Sequence, residues 1–395
     1  MIVTKDEIFA ICRKKIISQW NQMPDTFPEV FSVVSKQQME KNERTLEKLI
    51  QNFKSEQSFT EFWEKEEILH IYEYMGKDTF FQFESEIKSF VRQTRSFDDE
   101  LDMIQIWQAM RNYLIYAMIV EMQAEKQEAK LPILCYSLLY PYTDNYIDSA
   151  SMQNKQKNYY NQLIADKISG KEVSCHSKLE EQTNRLLDGI LQNYSSEELE
   201  QIRVALFALL EAQSESIQQQ GKESALTEQE LCNISVRKGS TSVLVDYFFS
   251  TMDWRIEEIT FYLKFGFLLQ LIDDFQDIAE DEQENRHTLM TQAKTKGVLE
   301  QRLNHLLWFI DSVMKEFEPR NTRIKPFVQR HCMGMVLITA AMNPSLLSSA
   351  YVEHIEKYLP FSIEYLKKKA EQLEKSQKNF NPQRSLEMLD QFCKR

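Results

Sequence analysis

The stretch from Phe265 to His287 constrains the fold more tightly than any other part of the chain. It reads FGFLLQLIDDFQDIAEDEQENRH, an apolar run that passes without a proline into a dense acidic cluster. Seven of the twelve residues from Asp273 to Glu284 are acidic. In a helix, Asp273, Asp277 and Asp281 follow one another at intervals of four and share one face. We therefore expect a helix whose first part is buried and whose last part carries crowded carboxylates. These carboxylates repel one another, so they require a nearby positive charge.

The shortage of turn-forming residues extends this prediction to the whole chain. It has 8 glycines and 9 prolines among 395 residues, where average usage is about 7% and 5%. Such a chain is predicted to be all-α. No proline-, glycine- or serine-rich linker divides it, so we expect residues 1–95 to form a helical region packed on the same body as residues 96–395.

Composition also excludes several classes of function. The net charge of −13 argues against binding to nucleic acid or to an anionic membrane surface. The six cysteines are scattered without a CxxC pair, which favours reduced thiols in a cytoplasmic protein. The first residues lack the apolar stretch typical of a signal peptide, and no apolar run approaches about 20 residues, so neither a signal peptide nor a transmembrane segment is expected. The histidines form no HExxH pattern, which makes a zinc site improbable.

A second acidic pair lies in the segment YPYTDNYID. Asp144 and Asp148 are four residues apart on a helix that is predicted to open at Pro132, kink at Pro141 and run to about Lys157. A single DxxxD pattern is typical of an ordinary solvated pair. Two acidic helix faces that each follow an apolar run are more informative together.

Basic residues accompany both acidic faces. Arg237 and Lys238 precede Gly239 and a run of serine and threonine, which predicts a local helix break. Cations beside such a break could clamp phosphate oxygens, although a surface interruption of a helix is the commoner reason for such a pattern. Arg286 follows the acidic helix, where it either meets an anion or balances the acids.

These features together predict a site for a diphosphate. Mg²⁺ takes oxygen ligands and is usually held by one or two carboxylates with substrate phosphates. A diphosphate between two carboxylate clusters would act as a leaving group, while an apolar chain would lie deeper against aromatic faces that stabilise a cation and exclude water. Gln270 and Gly266 share the face of Asp273, and Gly266 leaves room either for a substrate chain or for close helix packing.

The motifs carry a resemblance to class I isoprenoid enzymes. DDFQDIAED is similar to their second metal motif, and the Asp144–Asp148 pair resembles the first aspartate-rich motif of squalene and phytoene synthases. YPYTDNYID, KGSTSVL and LLQLIDDFQDIAED resemble signatures of the bacterial class 1 isoprenoid biosynthesis enzyme group. The resemblance covers about residues 131–288.

The resemblance implies a class I terpenoid synthase helical bundle around a central apolar cavity, with extra N-terminal helices. It implies a Mg²⁺-dependent terpene synthase, a lyase that ionises a linear polyprenyl diphosphate and releases diphosphate with a linear or cyclic terpene. The implied metal ligands, for what are expected to be three ions in all, are Asp144, Asp148, Asp273, Asp274, Asp277 and Asp281, of which Asp144, Asp148, Asp273 and Asp277 would be catalytic. The implied substrate-binding residues are Arg237, Lys238, Arg286, Gln213, Tyr140, Gly266 and Gln270.

Two other functions stay open from the sequence. One is a prenyltransferase, either head-to-head or chain-elongating. Elongation is less favoured, because the first motif has two acids rather than DDxxD and no arginine cluster for isopentenyl diphosphate is evident. The other is a helical interaction module whose acidic faces are solvated. A homodimer is possible in each case.

Overall fold

The computed structural model describes residues 5–52, 71–123, 131–149, 151–192, 194–221, 226–252, 255–293 and 295–378. Within these ranges the chain forms α-helices and two short 3₁₀ turns, and no β-strand occurs there. The all-α prediction is confirmed. The helices are α1 (Lys5–Trp20), α2 (Lys36–Asn52), α3 (Ile71–Met75), α4 (Lys77–Phe97), α5 (Met103–Gln123), α6 (Leu131–Asp148), α7 (Asn154–Ile168), α8 (Lys178–Leu191), α9 (Ser196–Ser216), α10 (Glu228–Thr251), α11 (Ile256–Gln276), α12 (Ile278–Glu284), α13 (Lys296–Glu316), α14 (Ile324–Met342), α15 (Ser349–Glu356) and α16 (Ile363–Lys378).

Helices α10 and α11 form the centre of the bundle and touch through two glycines. A Cβ added to Gly266 would lie 2.2 Å from the carbonyl oxygen of Gly239, and a Cβ added to Gly239 would lie 2.3 Å from that of Gly266. These distances are far below van der Waals contact, so the backbones approach as closely as glycine permits. The eight residues 261–268 of α11 are all buried here.

The predicted helix break after Lys238 is wrong, because α10 runs unbroken through this segment. The hydroxyl of Ser240 donates to the carbonyl oxygen of Leu263 on α11 at 2.7 Å. The hydroxyl of Thr241 donates back to the carbonyl oxygen of Arg237 at 2.8 Å. The small residues therefore permit close packing of α10 on α11 and keep their own polar atoms bonded.

The acidic helix continues as predicted, apart from Asp277, the single residue between α11 and α12. The backbone amide of Asp277 donates to the carbonyl oxygen of Asp273 at 3.0 Å, and the backbone amide of Asp281 donates to the carbonyl oxygen of Asp277 at 2.8 Å. Helical bonding thus persists from α11 into α12, which ends at Asn285 in the left-handed conformation (φ 54°). The other acidic helix is shorter than predicted, because α6 ends at Asp148 and α7 begins at Asn154.

The N-terminal helices pack on this bundle. The Trp20 ring contacts Phe267 and Phe309 edge-on, with ring centroids 5.7 and 5.9 Å away. Helix α2 is joined to α16, where Lys369 lies 2.5 Å from Glu47. The division of the chain at residue 95 stays a prediction. Among the described residues, no helix is both long and apolar enough to cross a bilayer.

Candidate active site

An apolar cavity of about 140 Å³ lies among helices α5 to α11. Its walls are Leu139, Ile164, Ile168, Leu187, Leu206, Leu209 and Leu210 with Tyr136 and Tyr140, and its polar end is lined by Gln108, Arg111, Thr143, Asp144, Gln213, Lys238, Ser242, Gln270 and Asp273. Along α6 and α9 the apolar lining residues come before the polar ones, Asp144 and Gln213, so the two kinds of lining occupy successive turns of these helices. Such a cavity suits a ligand with an apolar body and an anionic head.

A smaller polar pocket of about 30 Å³ adjoins the polar end of this cavity. It is lined by Gln219, Ser235, Lys238, Gln270, Asp273, Asp274, Asp277, Asp281, Arg286 and Thr288. Lys238, Gln270 and Asp273 line both spaces. The two pockets therefore meet at these three side chains, and one molecule could occupy both.

The acidic pocket holds its inward carboxylates by specific hydrogen bonds. The buried Asp274 accepts from the Gln270 amide at 2.8 Å and from the Ser235 hydroxyl at 3.2 Å. The buried Asp281 lies 3.3 Å from Nε of Arg286. Asp274 is one residue away from the helix face that was predicted to be functional. It is nevertheless one of the most buried acids of the pocket.

Three acids of this pocket, Asp274, Asp277 and Asp281, resist ionisation. Burial, with the adjacent charge of Asp273, raises the pKa of Asp274 to about 6, against the hydrogen bonds from Gln270 and Ser235. Partial desolvation, together with Asp273, raises the pKa of Asp277 to about 6. Burial and the charge of Asp274 raise the pKa of Asp281 to about 7, although Arg286 opposes the shift. A cation bound among these groups would favour their ionised forms.

Asp144, on α6, lines the apolar cavity but not the acidic pocket. One of its carboxylate oxygens accepts from the Gln213 amide at 3.0 Å and from the Thr143 hydroxyl at 3.3 Å. Gln213 thus lines the cavity, as the sequence suggested, and touches a predicted metal ligand. The side chain of Asp148 lies outside the described residues.

Tyr140 forms part of the wall between the polar and apolar ends. Its hydroxyl bonds to the hydroxyl of Ser242 at 2.5 Å, and the Tyr136 hydroxyl donates to the carbonyl oxygen of Ser242 at 3.2 Å. Burial raises the pKa of both tyrosines, so they remain neutral. Two aromatic rings are thereby fixed at the cavity wall, where their faces can stabilise a cation.

Two residues predicted to bind substrate lie elsewhere. The Arg237 guanidinium pairs with Glu215 and lies 3.1 Å from Glu211, both on α9, so it points away from the two pockets. Successive helical residues differ by about 100° in direction, which separates Arg237 from Lys238. Gly266 packs on Gly239 and lines neither pocket, so its role is close helix packing.

Sequence reasoning missed Arg111, which lines the apolar cavity and lies 3.5 Å from Asp273. A signal was present, since Arg111 is the sole lysine or arginine in the sequence between residues 96 and 125. Gln108, Ser235, Gln219 and Thr288 were also missed. These residues are ordinary polar side chains, and only the folded chain brings them to the site.

The donor set of the pocket fits Mg²⁺ in its chemistry. Its lining acids offer carboxylate oxygens, which hard cations prefer, and neither histidine nor cysteine lines it. In the part of the chain that the structure describes, no group of three or more metal-ligating side chains converges on one point. A magnesium ion held here would therefore draw further ligands from water and from a bound phosphate, as is usual for this ion.

The chain has little detectable similarity to known proteins. No protein family model matches the chain, and no curated protein matches it. Among solved structures, a variant of cucumene synthase matches with 11% sequence identity and a TM-score of 0.37, covering 72% of this chain and 90% of that chain. With a TM-score this low, the match carries no argument about fold or chemistry.

Proposed function

We propose that the protein is a Mg²⁺-dependent class I terpene synthase that ionises a linear polyprenyl diphosphate and releases diphosphate with a linear or cyclic terpene. One observation carries the proposal. The apolar cavity and the acidic pocket meet at Lys238, Gln270 and Asp273. One substrate molecule would place its prenyl chain in the apolar cavity and its diphosphate in the acidic pocket.

The charged residues that line the two pockets would bind the diphosphate and the metal. Lys238 and Arg286 line the acidic pocket, where their charges would hold diphosphate oxygens. Asp144 on one side and Asp273, Asp274, Asp277 and Asp281 on the other would hold Mg²⁺. The bound metal would supply Lewis acidity, which neutralises the charge that develops on the leaving diphosphate.

The cavity wall would serve the organic part of the substrate. Tyr136 and Tyr140 present neutral rings beside the polar end, where positive charge would develop after departure of the diphosphate. The leucine and isoleucine side chains beyond them would exclude water, which otherwise quenches a carbocation. The Gln270 amide donates to Asp274 and so orients one acid of the pocket.

The experiment that tests this function is turnover of a panel of linear prenyl diphosphates of ten to twenty-five carbons. The purified protein is incubated with each in the presence of Mg²⁺, and released diphosphate and hydrocarbon products are measured by mass spectrometry. The proposal expects release and a terpene from at least one chain length, abolished by chelation of the metal. No turnover of any substrate would refute it. Longer products on addition of isopentenyl diphosphate would indicate a prenyltransferase instead.

A further inference from the structure

A short segment at the mouth of the site ties the two acidic helices to each other. This segment, residues 217–221, is called the clasp below. The amide of His287 donates to the carbonyl oxygen of Gln219 at 2.8 Å, and the amide of Gly221 donates to that of Asn285 at 3.1 Å. Gln220 and Arg286 form the intervening antiparallel bridge. The clasp backbone therefore holds the chain that leaves α12, next to Asp281.

The side chain of Gln220 reaches the other acidic helix. Its amide nitrogen donates to the carbonyl oxygen of Ile147 at 3.2 Å. Ile147 belongs to the last turn of α6, whose final four carbonyls have no partner within the helix. Gln220 therefore caps the helix that carries Asp144, while its own backbone pairs with Arg286.

A buried lysine fixes the direction of this amide. The ammonium of Lys157 donates to the carbonyl oxygen of the Gln220 side chain at 2.6 Å. Lys157 is 1% exposed, and a buried ammonium requires hydrogen-bond acceptors. With its oxygen committed to Lys157, the amide of Gln220 presents its nitrogen to Ile147. The side chain is thus held in one orientation between α7 and α6.

We propose that Gln220 is a positioning residue, which sets the separation of the two acidic helices and thereby the fit of the site to a metal-bound diphosphate. This inference rests on the proposed function. A diphosphate held from both sides depends on the spacing of the carboxylates, whereas an apolar chain in the cavity does not. Groups that orient metal ligands typically change metal affinity by about 10- to 100-fold when they are removed.

The test compares the variants Gln220→Leu and Gln162→Leu with the wild-type protein. Gln162 is a matched control, since it is an exposed glutamine on α7 whose amide donates to Asp166 at 3.0 Å. Calorimetry measures the binding of inorganic diphosphate in the presence of Mg²⁺, and separately the binding of a fifteen-carbon prenyl alcohol. Gln220→Leu is expected to weaken diphosphate binding by about tenfold or more and to leave alcohol binding unchanged. Gln162→Leu is expected to change neither.

Each outcome decides a separate question. If Gln220→Leu binds diphosphate as tightly as the wild type, or loses both ligands equally, the positioning role is refuted. If the wild-type protein itself does not bind diphosphate with Mg²⁺, the proposed function fails, and this inference falls with it. Should Gln220→Leu not fold, Gln220→Glu replaces it, because it keeps an acceptor for Lys157 while losing the donor to Ile147. The same weakening is then expected of Gln220→Glu, and unchanged affinity contradicts the proposal.

Discussion

The guanidinium of Arg111 lies 3.5 Å from the carboxylate of Asp273, across the polar end of the apolar cavity. The two residues are 162 positions apart and come from α5 and α11. Arg111 also opposes the rise in the pKa of Asp277. It therefore supplies part of the counter-charge that the acidic helix requires. Both side chains are about half exposed, so the pair itself adds little to stability, about 1 kcal/mol or less.

Substitution of Arg111 should affect the two ligands in opposite directions. Arg111→Gln removes a cation from the carboxylates, so Mg²⁺ alone is expected to bind several-fold more tightly. It also removes a cation beside Asp273, a side chain that lines both pockets, so diphosphate with Mg²⁺ is expected to bind more weakly. Calorimetric titrations of each ligand measure both effects.

The control for this prediction is Arg44→Gln, which breaks an exposed pair with Glu40 at 3.3 Å on α2. It should leave both affinities unchanged. Weaker binding of Mg²⁺ to Arg111→Gln would contradict the assignment, because it would mean that Arg111 does not compete with the metal.

Adjacent cations on α10 give a second test. Lys238 lines both pockets, whereas Arg237 pairs with acids of α9. Lys238→Gln is expected to weaken binding of diphosphate with Mg²⁺ by about 1.5–3 kcal/mol, typical of a charged hydrogen bond. Arg237→Gln carries the same change of charge and is expected to leave that affinity within about twofold of the wild type. Equal losses in the two variants would show a general effect of charge rather than a contact.

The contribution of Asp281 to the stability of the metal-free protein should fall as the pH rises from about 4 to about 7. Because the pKa of Asp281 is raised to about 7 in the folded protein, folding holds this proton more tightly than the unfolded chain does. The resulting stabilisation is fully present below the ordinary carboxyl pKa and is lost as the pH rises through about 7. Asp281→Asn is therefore expected to be more stable than the wild type at about pH 8, with no such gain at about pH 4. Chemical unfolding at the two pH values measures this difference.

Asp98 provides a control, because its pKa is shifted in the opposite direction and its contribution to stability depends on pH in the opposite way. Burial opposes its ionisation, but the Tyr142 hydroxyl at 2.7 Å, the Glu100 amide and Lys178 together lower its pKa. Its contribution to stability is present at neutral pH and lost as the pH falls through the lowered pKa. Asp98→Asn should therefore be less stable than the wild type at about pH 8. The same sign of effect in both variants would contradict the two assignments.

The contact between glycines predicts a sharp difference between two alanine substitutions. A Cβ at Gly266 would lie 2.2 Å from a backbone oxygen of α10, whereas a Cβ at Gly334 in α14 would meet no atom within 4 Å. Gly266→Ala is expected to destabilise the protein by about 1–3 kcal/mol, as overpacking does. Gly334→Ala is expected to stabilise it by up to about 1 kcal/mol through helix propensity. Denaturant midpoints measure both, and a neutral Gly266→Ala would refute the close contact.

Local sequence patterns predicted the all-α fold and pointed to three acids that line one pocket. Helical periodicity placed Asp273, Asp277 and Asp281 on neighbouring turns, and all three line one pocket. The start of α9 depends on a local pattern too, because Ser195 and Glu198 form a capping box there. Such features depend on residues within a few positions of each other, so the sequence alone contains them.

Features that depend on tertiary contact could not be predicted in the same way. Gly266 was compatible with a cavity or with a neighbouring helix, and the position of Gly239 decides for the helix. Arg111 became a site residue because α5 packs on α10 and the Arg111 side chain reaches Asp273 on α11, and no local pattern encodes these relations. The segment after Lys238 looked like a helix break, but close packing on α11 offsets the low helix propensity of its glycine.

The central claim is that the apolar cavity and the acidic pocket form one site, and competition binding tests it most directly. The ligand is farnesyl thiolodiphosphate, a fifteen-carbon analogue whose carbon–sulfur bond resists cleavage, titrated in the presence of Mg²⁺. The account predicts that inorganic diphosphate and a fifteen-carbon prenyl alcohol each displace it, the first from the acidic pocket and the second from the apolar cavity. Failure of either competitor to displace the bound analogue would contradict the account.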